Sequence, residues 1–137
     1  MFSVKDDMAT KKSFREEFTF DERKAEADNI RTKFPDRIPT IVEKHEQVGD
    51  SLPDLDKRKF LAPGDLTMGQ FIYVIRKRMK LEPEKALFFF INDTLAPSSR
   101  TMGQLYQEHK ADDGFMYITL SAENTFGQRG CTGTGSL

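Results

Sequence analysis

The chain has 137 residues, a length that fits one domain, with 21 basic residues against 22 acidic ones and a single cysteine. The near-cancellation of charge excludes the strongly basic class of nucleic-acid-binding domains, and the lone Cys131 excludes an internal disulfide framework and points to a reducing compartment. Twelve phenylalanines and no tryptophan make Phe the expected bulk of the core.

Residues 1–12, MFSVKDDMATKK, are polar and aperiodic and read as a loose arm. They hold no apolar run of the kind a signal peptide needs, and the longest apolar run in the chain, residues 86–91, is far below the ~20 residues that span a bilayer. The chain therefore reads as soluble and cytosolic as translated. Ser13 with Glu16, and Thr19 with Glu22, each fit a capping box, so two helices are expected. Phe14 and Phe18 pair on the first; Phe20, Ala27, Ile30 and Phe34 recur on the second, which Pro35 ends.

Residues 37–44, RIPTIVEK, are β-branched and predict a strand, with Pro39 at an unpaired or terminal position. Residues 45–56 read as a polar loop. Residues 57–63, KRKFLAP, predict a second strand whose leading charges, Lys57, Arg58 and Lys59, read as guards on an exposed edge. Thr67 with Gln70 caps a third helix, with Met68, Phe71, Ile72, Ile75 and Met79 on one face and Arg76, Lys77 and Arg78 near its C-terminus. Residues 87–91, LFFFI, suit a buried strand, and residues 92–100 a turn. Thr101 with Gln104 starts a short fourth helix, and Asp112 and Asp113 read as a solvated turn. In FMYITLS, Met116, Ile118 and Leu120 alternate with Phe115, Tyr117 and Thr119, which predicts a central strand.

Without its first two helices the order is ββαβαβ. The expected fold is α+β: a ubiquitin-like β-grasp with a four-stranded mixed sheet, preceded by two N-terminal helices. The expected organisation is an arm over 1–12, a helical subdomain over 13–35, a core over 36–122 and a flexible tail over 123–137.

The blocks KFPDRIPTIVEK, DLDKRKFLAPGDLTMGQFIYVIRKRM, ALFFFIND and TMGQLYQEHKADDGFMYITLSAENTFG closely resemble the autophagy ubiquitin-like modifiers, the family that includes the GABA-receptor-associated protein. The resemblance runs from about Ser13 to Gly127. It implies that Gly127, after Phe126, is exposed by a processing cysteine protease, with residues 128–137 removed. Activating and conjugating enzymes of the ubiquitin-like cascade would then join it to phosphatidylethanolamine. A glycine carbonyl in an extended tail is open to attack on either side. That chemistry alone leaves Gly130 as a second candidate; the ENTFG block is what favours Gly127. A diacyl lipid gives stable anchoring, so the protein would be cytoplasmic first and on autophagosome and vesicle membranes afterwards.

The resemblance also implies an edge that binds short aromatic–x–x–aliphatic peptides with acidic flanks, carried by cargo receptors, through β-augmentation. Carried over, the aromatic pocket is Glu26, Ile30, Pro39, Lys59, Leu61 and Phe115. The aliphatic pocket is Phe60, Ala62, Pro63, Leu66, Phe71 and Val74, and Lys57, Lys59 and Arg78 attract the acidic flanks. Taken from spacing alone, Ile30, Leu66 and Phe71 read as plain core. Ala62 is smaller than the aliphatic more usual in the family, and the loop after residue 45 is slightly longer, which bears on partner preference. An enzyme is not expected: His45, His109 and Cys131 form no catalytic or zinc pattern, and no cofactor or metal is implied. Two other readings stand beside this one: a noncovalent trafficking adaptor, binding receptors or tubulin with its tail uncut, and an enzyme using Cys131.

Overall fold

The computed structural model describes residues 13–45 and 52–122. The elements run α1 (Phe14–Glu17), α2 (Phe20–Lys33), β1 (Arg37–Lys44), β2 (Lys59–Pro63), α3 (Met68–Met79), β3 (Phe88–Ile91), β4 (Thr94–Leu95), α4 (Met102–His109) and β5 (Met116–Ser121). All four capping boxes form. Ser13, Thr19, Thr67 and Thr101 each accept from the backbone N–H three residues on, and the Glu or Gln at that position accepts from the cap.

The sheet has the order β2-β1-β5-β3-β4, five strands rather than the four expected. The extra strand is Thr94–Leu95. Asn92 and Asp93 both take positive φ, 52° and 63°, which closes a tight hairpin back onto Phe90 and Ile91. β1 is antiparallel to β2 and parallel to β5, and β5 is antiparallel to β3. β5 is central, as its alternation predicts, with Met116, Ile118 and Leu120 buried.

One face of the sheet packs on α3 and α4. Met68, Phe71, Ile75 and Met79 of α3 and Met102 and Leu105 of α4 meet Ile38, Val42, Phe89 and the apolar face of β5. The loop read as polar contributes too, because Leu52 and Leu55 are fully buried in this core. The other face packs on the N-terminal helices through Phe14, Ala27, Ile30, Ile41 and Phe115. Here the α2 stripe differs from expectation. Phe20 and Phe34 are 43% and 47% exposed, and the buried stripe is Glu26, Ala27 and Ile30. A charged residue thus occupies the centre of the helix's inner face.

The turn before β5 also differs. Asp112 is exposed, but Asp113 is 1% exposed and accepts from Arg23 at 2.6 Å, from the Tyr117 hydroxyl at 2.5 Å and from the Phe115 N–H at 2.9 Å. Burial raises the Tyr117 pKa, and the Asp113 carboxylate raises it further. Gly114 follows with φ of 93°, and a Cβ there would lie 2.9 Å from that of Ala27. Only glycine lets this turn close against α2.

Candidate functional site

β2 is the outer strand on one side of the sheet. The Val42 N–H bonds to the Arg58 carbonyl and the Gly64 N–H to the Asp36 carbonyl, and these two bonds set the parity of the β1–β2 ladder. Ile38↔Ala62 and Thr40↔Phe60 are then the hydrogen-bonded pairs, and Pro39↔Leu61 and Ile41↔Lys59 are not. Two results follow. Pro39 owes no N–H to β2, and the ladder to β5 begins only at Thr40, so the proline costs no sheet bond. Lys59 and Leu61 turn their backbone groups outward, toward the open edge. The Leu61 carbonyl accepts from Arg37 Nη1 at 3.2 Å, which places a guanidinium over that edge.

On the α2 side of β2 the structure brings together Glu26, Ile30, Lys59, Leu61 and Phe115. Phe115 is fully buried against Phe14, at 5.1 Å between ring centroids, so these side chains form a filled cluster with Leu61 packed at its margin. Lys59 and Glu26 are both buried and form an ion pair across it. A buried ammonium needs such a partner, because desolvating either charge alone is strongly unfavourable. Pro39 is buried opposite Leu61 on the neighbouring strand.

The α3 side of the same strand holds Phe60 and Ala62. Phe60 meets Phe71 edge-on at 5.8 Å, Leu66 packs against this core, Pro63 is half-buried and Val74 is 42% exposed. Lys57 and Arg78 lie 5.0 Å and 5.6 Å from the Phe60 ring, and Arg78 pairs with Asp56 at 2.7 Å. The residues taken from the resemblance thus divide into two clusters on opposite faces of one edge strand.

The basic triplet behaves differently from the guard expected of it. Lys57 is only partly exposed, and Lys59 is buried. Arg58 is buried against α1, where it pairs with Glu17 and lies 3.8 Å from Glu43 and 5.4 Å from the Phe14 ring. A bend before β2 sends Arg58 and Lys59, neighbours in sequence, to the same helical face. Glu43 also accepts from the Phe14 N–H at 2.7 Å. Burial raises its pKa, against the opposing pull of that N–H and of Arg58. Periodicity carried no sign of Arg37 at the edge, of Asp56 beside Arg78 or of the Arg58 pairing, because each depends on a contact between distant segments.

The arm, Phe126, Gly127, Gly130 and Cys131 lie outside the described residues. Among the described residues no group of His, Cys, Asp or Glu is placed to hold a metal ion, and no helix is long and apolar enough to cross a membrane.

Known proteins share the sequence and the fold of this chain. Residues 22–127 match the family model described as "Autophagy protein Atg8 ubiquitin like". Autophagy-related protein 8 of Candida glabrata is 58% identical over 117 residues, 85% of this chain and 98% of that protein. The protein of the same name from Saccharomyces cerevisiae is 55% identical over 118 residues, 86% of this chain and 99% of its own. The crystal structure of Trypanosoma brucei ATG8 superposes with a TM-score of 0.75 at 43% identity, covering 83% of this chain and 97% of that one. The chain belongs to the Atg8 family of ubiquitin-like autophagy proteins.

Proposed function

We propose that this chain is a ubiquitin-like modifier, cut after Gly127 and conjugated through that residue to phosphatidylethanolamine, and that its β2 edge recruits cargo receptors and adaptors to the forming autophagosome. A cysteine protease hydrolyses the Gly127–Gln128 bond and leaves a carboxylate. An activating enzyme joins that carboxylate to the AMP of ATP with release of pyrophosphate, a cysteine thiol displaces AMP to form a thioester that passes to the conjugating enzyme, and the lipid amine displaces the thiol to form an amide. The chain is the group transferred and supplies no catalytic residue. The observation that carries this reading is an edge strand with outward backbone groups and an apolar cluster on each face, in a chain whose family match extends to Gly127. A peptide strand would add its ladder to Lys59 and Leu61 and direct alternate side chains to the two clusters. Because the α2-side cluster is closed, an incoming aromatic side chain displaces Leu61 or the Lys59–Glu26 pair as it enters.

Mass spectrometry of the C-terminus recovered from nutrient-stressed cells tests the conjugation. The expected product ends at Gly127 and carries the lipid, and Gly127→Ala lacks it. Residues 128–137 retained at steady state would instead leave the noncovalent adaptor reading. For the edge, Lys59→Glu with Leu61→Ala is expected to weaken an acidic aromatic–x–x–aliphatic peptide about tenfold or more, roughly 1.4 kcal/mol, by calorimetry. Unchanged affinity would place the site elsewhere.

A further inference from the structure

We infer that the crevice at the far end of β2 receives a lysine or arginine side chain from a peptide lying along that edge, an extension of the site that rests on the peptide reading above. The crevice has a volume of about 400 Å³ and is walled by Arg31, Asp36, Pro63, Gly64, Asp65 and Tyr106, among others. It forms where α2 and β2 end and α4 begins. Its backbone is already satisfied, since the Gly103 N–H bonds to the Gly64 carbonyl at 2.9 Å and the Gly64 N–H to the Asp36 carbonyl at 3.0 Å. A Cβ at Gly103 would sit 3.1 Å from that Gly64 oxygen, so glycine holds α4 close against the end of the strand.

The charges of the crevice select its occupant. Asp36 and Asp65 are exposed and form no ion pair among the described residues. Arg31 pairs with neither of them. Its guanidinium donates to the Arg37 carbonyl at 2.8 Å and lies 5.3 Å from the centre of the Tyr106 ring. Lys110 lies 5.5 Å from the same ring, so this aromatic wall already gathers cations. The C-terminal end of α2 adds negative potential. Among the residues that wall the crevice, two carboxylates stand against the one guanidinium of Arg31, an excess of one negative charge that disfavours phosphate and favours an ammonium or guanidinium.

Position argues for a peptide rather than a membrane. Pro63 is both the last residue of β2 and a wall of the crevice, two residues beyond the outward-facing Leu61. A strand docked on β2 runs into the crevice as it continues. β5 runs parallel to β1 and ends opposite Lys44, whereas the crevice lies beside Arg37. The length of β1, about 26 Å at 3.3 Å per residue, therefore separates the crevice from the point where the tail leaves the sheet.

The test uses the full chain at low salt and a fluorescent acidic aromatic–x–x–aliphatic peptide. Two variants of that peptide carry one arginine, two to four residues beyond the aromatic end or beyond the aliphatic end. One of the two is expected to bind 3- to 10-fold tighter than the parent. The gain should vanish in Asp36→Asn/Asp65→Asn, whose affinity for the parent peptide and melting temperature stay at the wild-type values. No gain from either placement, or a gain that survives the double variant, overturns the inference. A parent peptide that fails to bind refutes the edge reading instead. In that case agmatine alone decides: saturable shifts of the Gly64 and Gly103 amides, lost in the double variant, sustain the crevice as a cation site, and their absence refutes it.

Discussion

On the α3 side of the sheet, contacts are almost wholly apolar: Phe71 meets Phe60 and Phe89 edge-on, and Met68, Ile75 and Met79 fill the spaces around them. On the α2 side, a small aromatic cluster is ringed by buried or half-buried ion pairs, Lys59 with Glu26, Arg58 with Glu17 and Glu43, and Arg23 with Asp113. The first arrangement tolerates small shifts and drives collapse without direction. The second demands particular partners, because a buried charge without its mate is destabilising. The α3 face supplies bulk stability, and the N-terminal face fixes where two short helices sit against the edge strand.

This contrast can be broken at either face. The largest effect is expected from Phe71→Ala, about 3–5 kcal/mol lost in urea unfolding, because a ring contacting two others leaves a cavity at the centre of the main core. Next is Arg58→Ala, with a loss of about 3 kcal/mol, since Glu17 and Glu43 are left facing each other's charge without the guanidinium. Hydrogen exchange sharpens that test. Protection should fall in α1 and the start of α2 while α3 keeps its own. Equal loosening of α3 would make the two faces one cooperative unit and remove the contrast.

The smallest effect concerns pH. The Glu43 pKa is raised on folding, so the folded protein holds this proton more tightly than the unfolded chain does. The stability Glu43 contributes is therefore fully present below the ordinary carboxylate pKa and is lost as pH rises through the raised value. Glu43→Gln does not titrate. The stability advantage of the wild type over this variant should be larger at acidic than at neutral pH, across the window bounded by those two values. An advantage that shrinks on acidification would mean that the pull of Arg58 and the Phe14 N–H outweighs burial.

The sequence-readable part of the molecule follows the same division. The four capping boxes, the α3 stripe and the alternation of β5 are local patterns, and each appears in the fold where its spacing put it. The hairpin at Asn92 and Asp93 carries a local signal in its turn residues, but the strand after it is only two residues long and shows no alternation of its own. Glu26, Arg58 and Asp113 were not legible. A charged residue reads as exposed until its partner is known, and these partners lie 33, 41 and 90 positions away in the chain. The two clusters along β2 came from resemblance alone, since from spacing Ile30, Leu66 and Phe71 are simply core.

The place of β5 in the sheet has a mechanical consequence. Five residues of this strand register with β1 and three with β3, and the chain leaves it directly at Ser121. Tension applied through the C-terminal segment, against resistance at the β2 edge, passes through β1 and loads the parallel β1–β5 ladder along its length, so its bonds must yield together instead of opening one at a time like a zip. A molecule pulled at one end and held at the other by such a sheet is built to stay folded under tow.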